Sequence, residues 1–174
     1  LIDEDFIRQL ENCRVVVRYG VGYENVDIGK LHSRSIPFAN TPDYGIQEVA
    51  DSACSMILNL CRRTLEYDDA ARSFRTGWQE NILRPTARSS EMTVGVVGTG
   101  RIGTALIERL KPFGFRLLGY DPFVPSGYEK AIGFTRIETL SDLLGAADIV
   151  TLHCPENEET HGMVDNIFLA QMKP

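Results

Sequence analysis

Two rhythms of hydrophobic and polar positions run along the chain. CRVVVRYG (13–20) is continuously apolar and β-branched, as a buried strand would be, and SIPFAN (35–40) reads as a second, shorter strand. Between them, VGYENVDIGKLHSR holds a turn and a short helix. From Gly45 to Thr64 the period becomes helical: Ile46, Val49, Ala50, Ala53, Ile57, Leu60 and Cys61 share one broad face, with Gln47 and Glu48 in the first turn, predicting a long buried helix. A second helix through LEYDDAARSFRTG keeps the period at Leu65, Ala70, Ala71 and Phe74, and Gly77 supplies its stop. Trp78 opens the polar loop WQENILRPTARSSE, whose Pro85 and serine pair predict a seam between two structural units.

After the seam, strand and helix alternate. The pattern predicts a strand at 93–97, a helix over about 101–112 with Ile102, Ala105, Leu106, Leu110 and Phe113 on its apolar face, and a strand at 115–120. A turn-rich stretch with Pro122, Pro125 and Gly127 follows, then a short apolar piece near Phe134, the helix TLSDLLGAAD, the strand DIVTLHC and the helix DNIFLAQM. Such alternation predicts right-handed βαβ units: an α/β fold with a parallel sheet covered by helices.

Composition narrows the function classes. At 174 residues, 43% of them hydrophobic and 24% charged, the chain suits a globular domain, or one domain and a fraction of another. Eighteen basic residues against 24 acidic ones leave a net charge of −6, which gives no overall field for nucleic acid or an anionic membrane. An anionic ligand therefore needs a local site. The apolar runs are too short to span a bilayer, and the expected compartment is the cytoplasm. Cys13, Cys54, Cys61 and Cys154 form no CxxC pair; Cys54 and Cys61 lie about 10 Å apart by helical rise, so reduced thiols are expected. His32, His153 and His161 have no metal-ligand spacing, and the adjacent His153 and Cys154 face opposite ways on a strand, so no metal is expected. A start at Leu1 and an end just after a helix, with no strand to follow, suggest part of a longer protein.

The chemistry concentrates in VVGTGRIG, where Gly98, Gly100 and Gly103 satisfy GxGxxG. Three features of context give that pattern weight. It follows a strand and opens a helix; Asp121 ends the next strand, 18 positions after Gly103; and Gly98, Asp121 and the His153-Cys154-Pro155 turn all fall at carboxyl ends of strands. In such a site Gly98 permits the tight turn, Gly100 lets backbone approach a diphosphate, and Gly103 lets helix pack on strand. The helix N-terminus supplies free N–H groups. Asp121 would accept from ribose hydroxyls and repel a 2′-phosphate, favouring NAD over NADP. Upstream, Gly20 and Gly22 of RYGVGYENVD begin a similar pattern, but Asn25 takes the third place and no long helix opens there, so it is not read as a dinucleotide site.

Taken together, RYGVGYENVD, IPFANTP, VADSACSMILNLCRRT, VGVVGTGRIG, YDP and VTLHCPENEETHGMV resemble the D-isomer-specific 2-hydroxyacid dehydrogenases, near the branch of D-3-phosphoglycerate dehydrogenase and the C-terminal-binding proteins. The resemblance implies a Rossmann-like NAD-binding domain plus part of a flavodoxin-like substrate domain. Residues 1–45 would be the partial substrate domain, and 46–174 the linking helices and an NAD domain cut short at its C-terminal end. It implies NAD contacts at Val21, Gly98, Gly100, Arg101, Ile102, Gly103, Asp121, Cys154, Pro155 and Thr160, and substrate contacts at Arg18, Val21 and Gly22. The expected activity is hydride transfer between nicotinamide and a small 2-hydroxy or 2-keto acid, by a homodimer joined through the linking helices and NAD domain. The family's catalytic Arg, Glu and His would lie beyond Pro174, so no catalytic residue is assigned within 1–174, and these residues alone should be inert. Two other readings stand beside this one: an NAD(H)-sensing interaction protein of the co-repressor type, and a methyltransferase, against which the N-terminal block and TLHCP speak.

Overall fold

The structure, a computed structural model, describes residues 2–73 and 86–174. The expectations for Phe74, Gly77, Trp78 and Pro85 lie outside the described residues.

The first unit builds from α1 (Glu4–Arg8), β1 (Val16–Arg18), α2 (Ile28–Ser33) and β2 (Phe38–Asn40). Asp3 caps α1 by accepting from Phe6 N–H, and Asp27 caps α2 by accepting from Lys30 N–H, each satisfying a donor that the helix start leaves open. β1 and β2 pair in parallel from Val16–Phe38 to Arg18–Asn40, and Ile2 bridges Val26 beside them. Ile7, Val26, Leu31 and Ile36 form the core. The expected buried strand at 13–20 is in fact three residues long and half-buried, with Val17 63% exposed. The helices cover only one face of this small sheet, so alternate residues of β1 remain uncovered.

α3 (Ile46–Arg62) and α4 (Thr64–Ser73) follow. Ala50, Ala53, Cys54, Ile57 and Cys61 of α3 are buried, but Val49 and Leu60 are not. The expected single face divides into a small-residue stripe against the core and an exposed apolar stripe of Val49, Met56 and Leu60. The buried stripe lies on α5 (Arg101–Leu110), where Arg109 ties the two helices by donating to Asp51 at 2.5 Å and Gln47 at 2.6 Å.

Four parallel strands make the second sheet, in the order β5-β4-β3-β6: β3 (Thr93–Val97), β4 (Arg116–Tyr120), β5 (Thr135–Arg136) and β6 (Ile149–Leu152). β3 is buried at all five positions, as a central strand covered on both faces must be. On one side Val94 and Val96 meet Leu106, Ile107, Leu110 and α3; on the other Val97 and Leu118 meet Leu143, Leu144 and Phe168, brought by α7 (Leu140–Ala146) and α8 (Asn166–Ala170). α6 (Tyr128–Ile132) follows the turn-rich stretch directly after Gly127, where no helix was expected. α5 ends at Leu110, and a single 3₁₀ turn carries the chain past Phe113, which is exposed and not on the buried face.

Asp148 locks the start of β6. Its carboxylate accepts from Thr93 N–H at 2.7 Å and from Lys173 Nζ at 2.8 Å. Burial pushes its pKa up, but these two donors outweigh burial and hold it below the ordinary aspartate value. A depressed carboxyl stabilises the fold above its unfolded-state pKa, and that stability is lost as pH falls through the folded value. Asp148→Asn should therefore cost about 1–2 kcal/mol near neutral pH and flatten the loss of stability below about pH 4. Thermal melts from neutral to acid pH would read both effects; an unchanged acid limb would refute the assignment.

Candidate functional site

The glycine turn sits where β3 meets α5. Gly98 has φ +86°, and a β-carbon there would also come within 2.6 Å of the Cys154 backbone nitrogen, so glycine is required twice over. A β-carbon on Gly103 would run into the Gly98 carbonyl, which explains how closely α5 approaches the strand end. Gly100 differs from both: a β-carbon on it would meet nothing within 4 Å. It is the N-cap of α5 and offers no capping side chain, so no cap takes up the first-turn N–H groups. Those features describe a cradle of free backbone donors at the positive end of a ten-residue helix, a setting suited to a diphosphate.

One strand over, Asp121 is held by its neighbours. Oδ2 accepts from Thr99 N–H at 2.8 Å and Oδ1 from Phe123 N–H at 3.0 Å. Each carboxylate oxygen keeps further lone-pair capacity, so Asp121 can accept from a ligand without giving up these bonds. Thr99 is fully buried, and the sequence reading did not single it out.

Two cavities flank the turn. The smaller, about 390 Å³, is lined by Gly98, Gly100, Asp121, Cys154, Pro155 and Thr160, with Tyr120, Phe123 and Leu140 giving it apolar walls. The larger, about 1080 Å³, lies between the two units and is lined by Val21, Gly22, Arg101, Ile102, Cys154 and Pro155, with Glu24, Glu156 and His161 on its rim. The His153-Cys154-Pro155 turn is common to both. Gly103 lies behind the turn, the Arg18 side chain lies beside Gly20, and neither residue lines either of these two cavities.

The 20–22 loop is held in place from β2. Gly20 N–H donates to Thr41 Oγ1 at 2.8 Å, and Asn40 Nδ2 donates to the Val21 carbonyl at 2.7 Å. Pattern reading missed both residues as supports, although Asn40 and Thr41 stand at the carboxyl end of a predicted strand. No long helix follows the loop, only the six residues of α2. Arg18 Nη1 is buried without a hydrogen-bond partner and lies 3.9 Å from the Glu24 carboxylate.

Within the 155–162 loop the Thr160 hydroxyl donates to the Pro155 carbonyl at 2.7 Å, and Asn157 Oδ1 accepts from Glu159 and Thr160 N–H, closing the loop on itself. His153 Nε2 lies 2.9 Å from Thr151 Oγ1, and burial pushes the imidazole pKa down, favouring the neutral ring. Burial likewise pushes the Cys154 thiol up, away from thiolate chemistry. All four cysteines are free. Among the described residues there is no group of three or more His, Cys, Asp or Glu that could hold a metal, and no helix is long and apolar enough to cross a membrane.

Comparison with known proteins gives this geometry a context. A family model described as D-isomer specific 2-hydroxyacid dehydrogenase, NAD binding domain, matches residues 54–174. C-terminal-binding protein 1 of Caenorhabditis elegans is 32% identical over 99% of the chain, and glyoxylate reductase of Korarchaeum cryptofilum is 34% identical over 99%. The chain spans 24% and 52% of those two proteins, respectively. A crystal structure of D-lactate dehydrogenase from Aquifex aeolicus, complexed with NAD and lactic acid, superposes with a TM-score of 0.89 at 27% identity, covering 99% of this chain and 50% of that one. The holo form of Rhodotorula graminis D-mandelate dehydrogenase gives 0.87 at 28% identity, covering 99% and 52%.

Proposed function

Because the chain belongs to the D-isomer specific 2-hydroxyacid dehydrogenase family and carries its NAD-binding domain, we propose that the whole protein transfers hydride between NAD(H) and a small D-2-hydroxy or 2-keto acid. The open cradle at Gly100, with Asp121 presented one strand away, carries this reading. When bound, NAD supplies the hydride acceptor and NADH the donor.

In this proposal Arg101 and Ile102 hold the diphosphate through backbone donors, Gly100 lets it approach, Gly98 and Gly103 shape the turn behind it, and Asp121 accepts from the adenosine ribose. Cys154, Pro155 and Thr160 flank the adenosine side, while Val21 meets the nicotinamide end. The Gly22 backbone and Arg18 receive the acid's carboxylate; Arg18 Nη1 makes no hydrogen bond and is only loosely paired with Glu24 at 3.9 Å, which leaves its donor capacity for a ligand. Residues 1–45 belong to the substrate domain and 46–174 to the linking helices and NAD domain. Acid–base catalysis is proposed for residues outside 1–174. The full-length protein should consume NADH with at least one of glyoxylate, pyruvate, hydroxypyruvate or phosphohydroxypyruvate. NADH binding without turnover on any of the four would refute the enzymatic reading.

The proposal extends to a cytoplasmic homodimer. Four free cysteines suit a reducing compartment. The exposed stripe of α3, with Met56 at 60% and Leu60 at 67% exposure, suits burial against a second copy. Met56→Asp with Leu60→Asp should bring the sedimentation mass down to that of a monomer; a mass unchanged from wild type would place any interface elsewhere.

A further inference from the structure

Behind the glycine turn, two side chains reach its polar groups from the protein side. Thr104, in the first turn of α5, donates its hydroxyl proton to the Thr99 carbonyl at 2.8 Å. Its oxygen also lies 2.7 Å from the Tyr128 phenol oxygen on α6. A threonine hydroxyl has one proton. With that proton committed to Thr99, Tyr128 is the donor in the second bond. The relay then has one direction: Tyr128 O–H to Thr104, Thr104 O–H to the Thr99 carbonyl, and Thr99 N–H to Asp121 Oδ2 at 2.8 Å.

Thr99 stands between Gly98 and Gly100 and is fully buried. Its N–H is spent on the carboxylate and its carbonyl on Thr104, so both polar ends of this residue are fixed by side chains. The Thr99 hydroxyl adds a longer contact to the same carboxylate oxygen, at 3.4 Å. Packing reinforces the relay. The Tyr128 ring meets Phe134 edge-on at 6.5 Å between centroids. Phe134 in turn fills the space over Gly119, where a β-carbon would come within 2.5 Å of its ring and 2.9 Å of the Thr99 methyl. Neither Thr104 nor Tyr128 lines either of the two cavities that flank the turn, which places both behind it.

We propose that Thr104 and Tyr128 are positioning residues for the dinucleotide. Acting through Thr99, they hold the turn and aim the Asp121 carboxylate, and so set both the affinity for NAD and its preference over NADP. The inference rests on the reading of Gly98–Gly103 and Asp121 as the NAD site. It explains why the excursion after β4 carries a tyrosine that no turn requires.

Calorimetric titration of the full-length protein with NADH and with NADPH, alongside thermal melts, tests it. Thr104→Val should weaken NADH about tenfold and narrow the NADH-to-NADPH affinity ratio by about threefold or more. Tyr128→Phe keeps the ring packing and should move both quantities the same way by roughly two- to threefold. Thr104→Ser retains the hydroxyl and should restore both to within about twofold of wild type. Variants that bind as wild type does would overturn the proposal. So would a lower melting temperature with an unchanged affinity ratio, since plain structural support does not act through Asp121. If wild type binds neither dinucleotide, the NAD reading fails, and this inference fails with it.

Discussion

A Gly100→Asp variant should keep its fold, melt at or slightly above the wild-type temperature, and lose its dinucleotide. Gly100 is the N-cap of α5 with a negative φ, −67°, and ψ −153°, and a β-carbon there meets nothing within 4 Å. Aspartate is among the preferred N-caps and interacts favourably with the helix dipole, so a gain of up to about 1 kcal/mol is expected. The same carboxylate takes up a first-turn N–H and stands where the diphosphate would lie. One like-charge pair at about 4 Å, at an effective dielectric of about 20, is worth up to about 4 kcal/mol. Allowing for screening, roughly 2–4 kcal/mol corresponds to about 30- to 1,000-fold weaker NADH binding. Calorimetry and a thermal melt on one sample would measure both effects. Retained binding would mean that no diphosphate lies against Gly100, and a large drop in melting temperature would mean that Gly100 serves the fold.

What could be read from the residues follows the range of each interaction. The alternation from Thr93 onward identified the parallel sheet, because a strand covered on both faces is apolar throughout and helices between strands force parallel pairing. The three glycines and Asp121 were legible because their spacing is local. The α3 face was read too broadly: Val49 and Leu60 keep the helical period but lie at the edge of the arc, and only the neighbouring element decides where burial stops. α1 escaped notice because five residues carry too little periodicity to register. Asn40, Thr41, Thr104 and Tyr128 escaped for another reason. Apart from the short reach from Thr104 to Thr99, their bonds join residues 19 to 24 positions apart, and such a bond leaves no periodic trace in the chain. Polar supports of a site are therefore visible only once the strand ends are brought together.

The other two glycines of the motif should behave in the opposite way to Gly100, with the cost falling on folding. Gly103→Ala gains about 1 kcal/mol in helix propensity. Against that, its methyl group meets the Gly98 carbonyl, a backbone atom that no rotamer change can move aside, and overpacking of this kind typically costs about 1–3 kcal/mol and occasionally more. Packing wins, and a net loss of about 1–2 kcal/mol is expected. Gly98→Ala loses on two counts: a left-handed backbone, worth about 1–2 kcal/mol, and a methyl group pressed on the Cys154 nitrogen, for about 3 kcal/mol or more in total. The two sites share the Gly98 peptide, so the double variant should cost less than the sum, because a carbonyl already displaced by one methyl has less left to lose to the other. Urea unfolding of the single and double variants measures all three quantities. Wild-type midpoints in both single variants would show that the turn is free to relax, and the close approach of α5 to β3 would then be incidental to stability.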